Sequence, residues 1–180
     1  MKKIITLLML TGTCFGGQLT QTTAELQSIL DDADQKAGVY AVLTAASNTT
    51  CAATGTWYQI QGVFTNKAIE GFTISGTNIV NQIATTNQYE IDWHAIASAD
   101  EASGSIIHAT VKINDTVYDT EKMGAECRVA GDRYNFSGTV VAPLSSNDTV
   151  QLVCETDDAG GTITFHHFVT SITKFFLTRD

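Results

Sequence analysis

The side chains of this chain with the chemistry to bind or react are its four histidines, its four cysteines and a few acidic pairs. His166 and His167 are adjacent in a strand-like run, so they are expected on opposite faces of a sheet and unable to chelate one ion together. His94 and His108 are expected on the outer faces of two strands that would be neighbours. Such a pair suits zinc binding or pH sensing, yet no carboxylate or cysteine stands at ligand spacing, and all four read as surface or interface histidines. Cys14, Cys51, Cys127 and Cys154 contain no C-x-x-C pair, which argues against a metal knuckle or a redox dithiol. An even count permits two disulfides in an oxidising compartment. The simpler expectation is small buried hydrophobes, since Cys154 continues the inward row Val150, Leu152. Asp31-Asp32, Asp100-Glu101 and Asp157-Asp158 sit at a helix end or in turns, where solvated charge is the default, and the D-x-D-x-D-G spacing of a calcium loop is missing. There is no G-x-S-x-G, no Cys-His constellation of known type and no phosphate-cradling loop. The expectation is a non-enzyme, with no catalytic, cofactor-binding or metal-ligating residue.

Composition sets the scale of the elements that hold these residues. With 180 residues and 43% hydrophobic content, the chain is able to bury roughly 70% of the surface its unfolded form exposes, enough for one self-sufficient core. The residue mix leans toward Thr, Val, Ile, Gly and Asn, which suits pleated surfaces and tight turns. The net charge is −9 and no window clusters Lys and Arg, so no nucleic-acid partner is expected. No run approaches the ~18 apolar residues of a membrane span, and no membrane partner is expected either. Asn48, Asn114, Asn135 and Asn147 head N-x-S/T sequons, which a chain this rich in Thr and Asn produces by chance.

The chain divides into three parts. Residues 1–21 read as an extended arm whose apolar residues Ile4, Ile5, Leu7, Leu8 and Leu10 follow Lys2-Lys3. The same pattern resembles the basic and apolar regions of a bacterial signal peptide, with Gly12-Thr13-Cys14 offering small residues for cleavage, although seven apolar residues are at the short end. Residues 22–38 read as a short helix. Thr22 and Glu25 form a capping box, Leu26, Ile29, Leu30 and Ala33 share one face, and Gly38 ends it. A helix this short is marginal alone and must pack on something.

Residues 39–180 lose the helical period. Val39 to Thr44, Trp57 to Thr65, Phe72 to Ser75 and Asn78 to Ile83 read as strands, with a polar loop over 45–56. Tyr89, Ile91, Trp93, Ala95 and Ala97 form an inward row, as do Ile107, Ala109, Val111 and Ile113. Asn114-Asp115 reads as a hairpin turn into Thr116 to Asp119. Tyr134, Phe136, Gly138, Val140 and Ala142 make the next row, then Val150, Leu152 and Cys154, and Gly160-Gly161 opens a last long strand. Strands without intervening helices imply an antiparallel sandwich or barrel. In the last strand, strict alternation places Ile163, Phe165, His167 and Val169 on one face and Phe168, Ile172 and Phe176 on the other. Ile96, Ile106 and Val141 are also apolar on outward faces, and rows of this kind mark a protein–protein contact.

The order Tyr89-Glu90-Ile91-Asp92-Trp93-His94-Ala95, Ala109 to Asn114, Leu144 to Leu152 and Thr162-Ile163-Thr164 resembles the C1q/TNF-like jelly-roll module of tailed-phage virion proteins over about residues 55–178. The resemblance implies an all-β, antiparallel jelly-roll sandwich that forms a homotrimer. It implies a head fibre, capsid decoration or tail-fibre head in the virion, with Phe168, Ile172 and Phe176 at a threefold contact. The arm would bind other capsid or tail proteins, the helix would serve as a neck, and a host-surface glycan or protein is a further partner. A particle protein assembled in the cytosol would keep Met1. A secreted or periplasmic adhesin or carbohydrate-binding sandwich would lose its leader near Cys14 to Gly16. Collagen stalk and transmembrane anchor are both absent, which argues against a signalling role.

Overall fold

The computed structural model describes residues 38–100, 105–118, 123–157 and 160–175. All of them lie within one compact unit, Lys36–Asp180. The expected arm and helix, with Ile4, Ile5, Leu7, Leu8, Leu10, Leu26, Ile29, Leu30 and Ala33, fall outside the described residues, and so does Phe176.

In chain order the strands are β1 (Gly38–Leu43), β2 (Ser47–Cys51), β3 (Tyr58–Gln59), β4 (Phe64–Glu70), β5 (Phe72–Ser75), β6 (Asn78–Asn81) and β7 (Asn87–Ala99). There follow β8 (Ser105–Ile113), β9 (Thr116–Val117), β10 (Met123–Cys127), β11 (Tyr134–Leu144), β12 (Thr149–Thr156) and β13 (Gly161–Lys174). They form two sheets. The first runs β11-β7-β13-β1-β4, with β2 also paired to β13; the second runs β10-β8-β12-β6-β5, with β3 added to β12 and β9 to β8. Every pairing is antiparallel. The chain passes from one sheet to the other between β4 and β5 at Gly71, whose φ of 71° is a left-handed conformation that a side chain would disfavour.

The inward rows read from the sequence make the core. Tyr89, Ile91, Trp93, Ala95 and Ala97 of β7 are buried, as are Ile107, Ala109, Val111 and Ile113 of β8 and Val150, Leu152 and Cys154 of β12. Aromatic rings fill the space between the sheets. Trp93 stacks on Phe168 at 6.1 Å between centroids and meets Phe136 edge-on at 6.0 Å. Gly138 lies opposite Trp93 in the β11–β7 register. A Cβ at this glycine would come within 2.7 Å of the Trp93 ring, so the row closes on Trp93 because position 138 carries no side chain.

Four expectations change. The polar segment 45–56 contains a strand, β2, whose Thr49 and Cys51 alternate inward and are 2% and 0% exposed. The single strand expected over Trp57 to Thr65 is interrupted at Gly62, where φ is 120° and a Cβ would clash with Leu43 Cδ1. β10 was not anticipated at all. The last concerns β13, whose register against β7 slips between Phe165 and His167. That bulge reverses the alternation. Phe165 is inward before it, and Phe168, Thr170 and Ile172 are inward after it, at 0%, 0%, 1% and 1% exposure.

Candidate functional site

The bulge decides where the expected contact residues lie. Phe168 and Ile172, expected at a threefold contact, are core residues of the single subunit; Phe168 is wedged among Trp93, Phe64 and Phe165. Their side chains are spent inside the sandwich, and neither is free to touch another copy. Strict alternation missed this because a bulge inserts one residue and shifts the face of everything beyond it. His167 and Val169, placed inward by the same count, belong to the outer side and are half-buried.

The outer face of the first sheet therefore has a different composition from the one expected. The register carries Val42 of β1 beside Val169 of β13, and Val169 beside His94 of β7. One row further along, His167 stands beside Ile96. Tyr40 is 43% exposed on β1, and Val141, 52% exposed, occupies the far strand β11. Ile96 and Val141 are thus outward, as the sequence suggested, and Ile106 is outward on the second sheet. The result is a strip of branched aliphatic and aromatic side chains crossing β1, β13 and β7. Of its polar neighbours, Thr139 Oγ1 donates to Asp92 Oδ1 at 2.6 Å.

The histidines fall into two groups. His94 and His108, expected on neighbouring strands, are in different sheets, because β7 and β8 belong to opposite layers of the sandwich. His94 instead meets His167, ring against ring at 6.1 Å. His166, the extra residue of the bulge, has Nε2 2.9 Å from Ser98 Oγ. Burial, and secondarily the positive charge of Arg133, hold its pKa below the ordinary histidine value. On the second sheet, His108 Nδ1 lies 3.3 Å from Glu155 Oε1. Among the described residues no group of three His, Cys, Asp or Glu side chains is placed to hold a metal ion.

Several acidic and amide side chains serve turns and strand starts. Asp148 accepts from Ser145 N at 2.7 Å and from Asn114 Nδ2 at 2.8 Å. Asn114 and Asn147, two of the sequon asparagines, take positive φ of 52° and 68° in the turns, a conformation that asparagine tolerates better than most residues. Asp100 and Asp157 cap strand starts, accepting from Thr162 N at 2.7 Å and Ile106 N at 2.6 Å. Cys51, Cys127 and Cys154 are buried free thiols, and Cys154 continues the inward row as expected.

No family model matches this chain, and no curated protein does. Solved structures do. The chain is similar to Eiger TNF from S. frugiperda, at a TM-score of 0.55 and 8% identity over 81% of this chain and 96% of that one. It is similar to murine APRIL at a TM-score of 0.50 and 7% identity, over 77% and 98%. The fold is a TNF-like jelly roll. At these identities the likeness concerns the path of the backbone, which agrees with the two antiparallel sheets described above.

Proposed function

We propose that this chain is a non-enzymatic structural module that assembles as a homotrimer through the outer face of its β1–β13–β7 sheet. The observation that carries the reading is the strip Tyr40, Val42, Ile96, His167 and Val169 on a subunit whose core is already complete. Apolar surface grouped in this way is stabilised by being covered, and a jelly roll leaves this whole sheet face open to another copy. The non-enzymatic part is supported by the use of Asp100, Asn114, Asp148 and Asp157, which hold turns and strand starts.

Within that reading the chain is a virion component, a head fibre or capsid decoration attached through residues 1–21, with tail-borne receptor binding as the variant. The support is the strand-order resemblance. A host-surface glycan or protein is the partner of the exposed loops. A secreted adhesin is the second reading, favoured by Lys2-Lys3 ahead of Ile4 to Leu10; intact-mass measurement finding residues 1–16 lost would establish it.

Light scattering on the full chain tests the assembly. The expected mass is three times the 19.3 kDa chain, and Val169→Asp should yield monomers with an unchanged β-sheet circular dichroism spectrum. A wild-type monomer, or a Val169→Asp trimer, overturns it. Particle incorporation that survives deletion of residues 1–21 overturns the attachment role.

A further inference from the structure

Two of the buried thiols come from opposite layers of the sandwich and meet. Cys51 ends β2 in the first sheet, paired with Gly161, and its carbonyl accepts from Gly160 N at 2.8 Å. Cys154 lies on β12 in the second sheet, opposite Tyr58 of β3. Both are 0% exposed. The two thiols bias each other's ionisation, and the hydroxyl of Thr49, the inward residue two places before Cys51, acts on Cys154. The surrounding backbone is tied to both layers. Gln61 N donates to Thr49 Oγ1 at 3.0 Å, Ile60 N donates to Leu152 O at 3.0 Å, and Ala53 N donates to Tyr58 Oη at 2.9 Å. The third described thiol has no such neighbour: Cys127 Sγ is directed at Ala125 O, 4.0 Å away.

We propose that Cys51 and Cys154 form a cross-sheet disulfide when the chain folds in the presence of a small-molecule disulfide such as oxidised glutathione. The Cys51 thiolate attacks one sulfur of the oxidant, forming a mixed disulfide and releasing one thiolate. The Cys154 sulfur, having given up its proton, then attacks Cys51 Sγ and expels the second. The protein loses two protons and two electrons, and the oxidant leaves as two thiols. The order of attack follows from that bias. The Cys154 thiol pulls the Cys51 pKa below its ordinary value against burial and the charge of Glu155, and Cys51 with burial pushes Cys154 well up. Both side chains are buried in the same core between the two sheets, and a bond of about 2.05 Å would join them there. Both sulfurs are shut from solvent once the fold is complete, so the exchange belongs to folding or to transient opening. The bridge would lock β2 to the opposite layer and close a loop of about 100 residues, a length at which cross-linking restricts the unfolded chain strongly.

The test is refolding of the full chain from denaturant in a glutathione redox buffer, followed by denaturing alkylation with N-ethylmaleimide. The expected product takes up label at two of its four cysteines and yields a Cys51–Cys154 cross-linked peptide. Its melting temperature should fall by about 10 °C on reduction. Cys127→Ala should keep the cross-link and Cys154→Ala should lose it. Four labelled cysteines in the wild type, glutathione adducts without the cross-link, or a cross-link to Cys14 or Cys127 would overturn the proposal. The wild-type map decides even if Cys154→Ala fails to fold.

Discussion

His166 illustrates how much one side chain depends on its place in a strand. It is the surplus residue of the β13 bulge, its ring held 2.9 Å from Ser98 Oγ. Burial first and Arg133 second depress its pKa, so the folded chain prefers the neutral imidazole more than the unfolded chain does. Linkage fixes the sign. This contribution to stability is fully present above the unfolded histidine value of about 6.5 and is lost as pH falls through it toward the lower folded value. Urea midpoints should therefore fall over that window, and His166→Gln, which keeps a hydrogen-bonding amide beside Ser98, should flatten that part of the profile. An unchanged slope would assign the pH dependence to other groups. This environment is not legible in the residue order, since alternation alone places His166 and His167 on opposite faces. The cysteines were half legible. Burial of Cys154 followed from its row, whereas its meeting with Cys51 depends on β2, a strand hidden in a segment of Ser, Asn and Thr with one apolar end.

Among the elements, the rows with uninterrupted alternation were readable because a strand buried on one face must repeat every two residues. β7 follows that rule from Tyr89 to Ala97, whereas β8 is buried on both faces at Ala109 to Val111 and β12 from Leu152 to Thr156. β13 follows it twice, once on each side of the bulge, and the run Phe165-His166-His167-Phe168 conceals the change because both flanking residues are phenylalanine. The bulge is what allows a 14-residue strand to present Ile163 and Phe165 at one end and Phe168, Thr170 and Ile172 at the other to the same core. Deleting His166 removes the extra residue and leaves Phe165 and Phe168 two places apart, so plain alternation keeps Phe168, Thr170 and Ile172 in the core. Inserting one alanine between His167 and Phe168 would instead throw the second group outward. Loss of Phe168 burial alone costs about 3–5 kcal/mol, as judged from phenylalanine truncations in other cores. The insertion should therefore abolish cooperative thermal unfolding, while deletion of His166 keeps it. An insertion variant that melts like the wild type would mean that the register of β13 adjusts from its C-terminal end.

At the scale of the whole molecule, the outer face of the first sheet and the net charge act in opposite directions. Covering Val42, Ile96 and Val169 favours association, but each copy brings a formal charge of −9, and like-charged copies repel. The face itself does not relieve this, since Glu90 and Asp92 share the outward side of β7 with His94 and Ile96 and no Lys or Arg of β7 or β13 stands beside them on that side. Added salt screens the repulsion, with a Debye length that shortens from about 30 Å at 0.01 M to about 8 Å at 0.15 M, and leaves the apolar contribution in place. Association measured by sedimentation at neutral pH should therefore tighten as sodium chloride rises across that range. An interface held by ion pairs would respond with the opposite sign. Weakening by salt would consequently move the contact away from the Tyr40–Val169 strip to a surface where basic residues such as Arg128 and Arg133 meet the acidic loops.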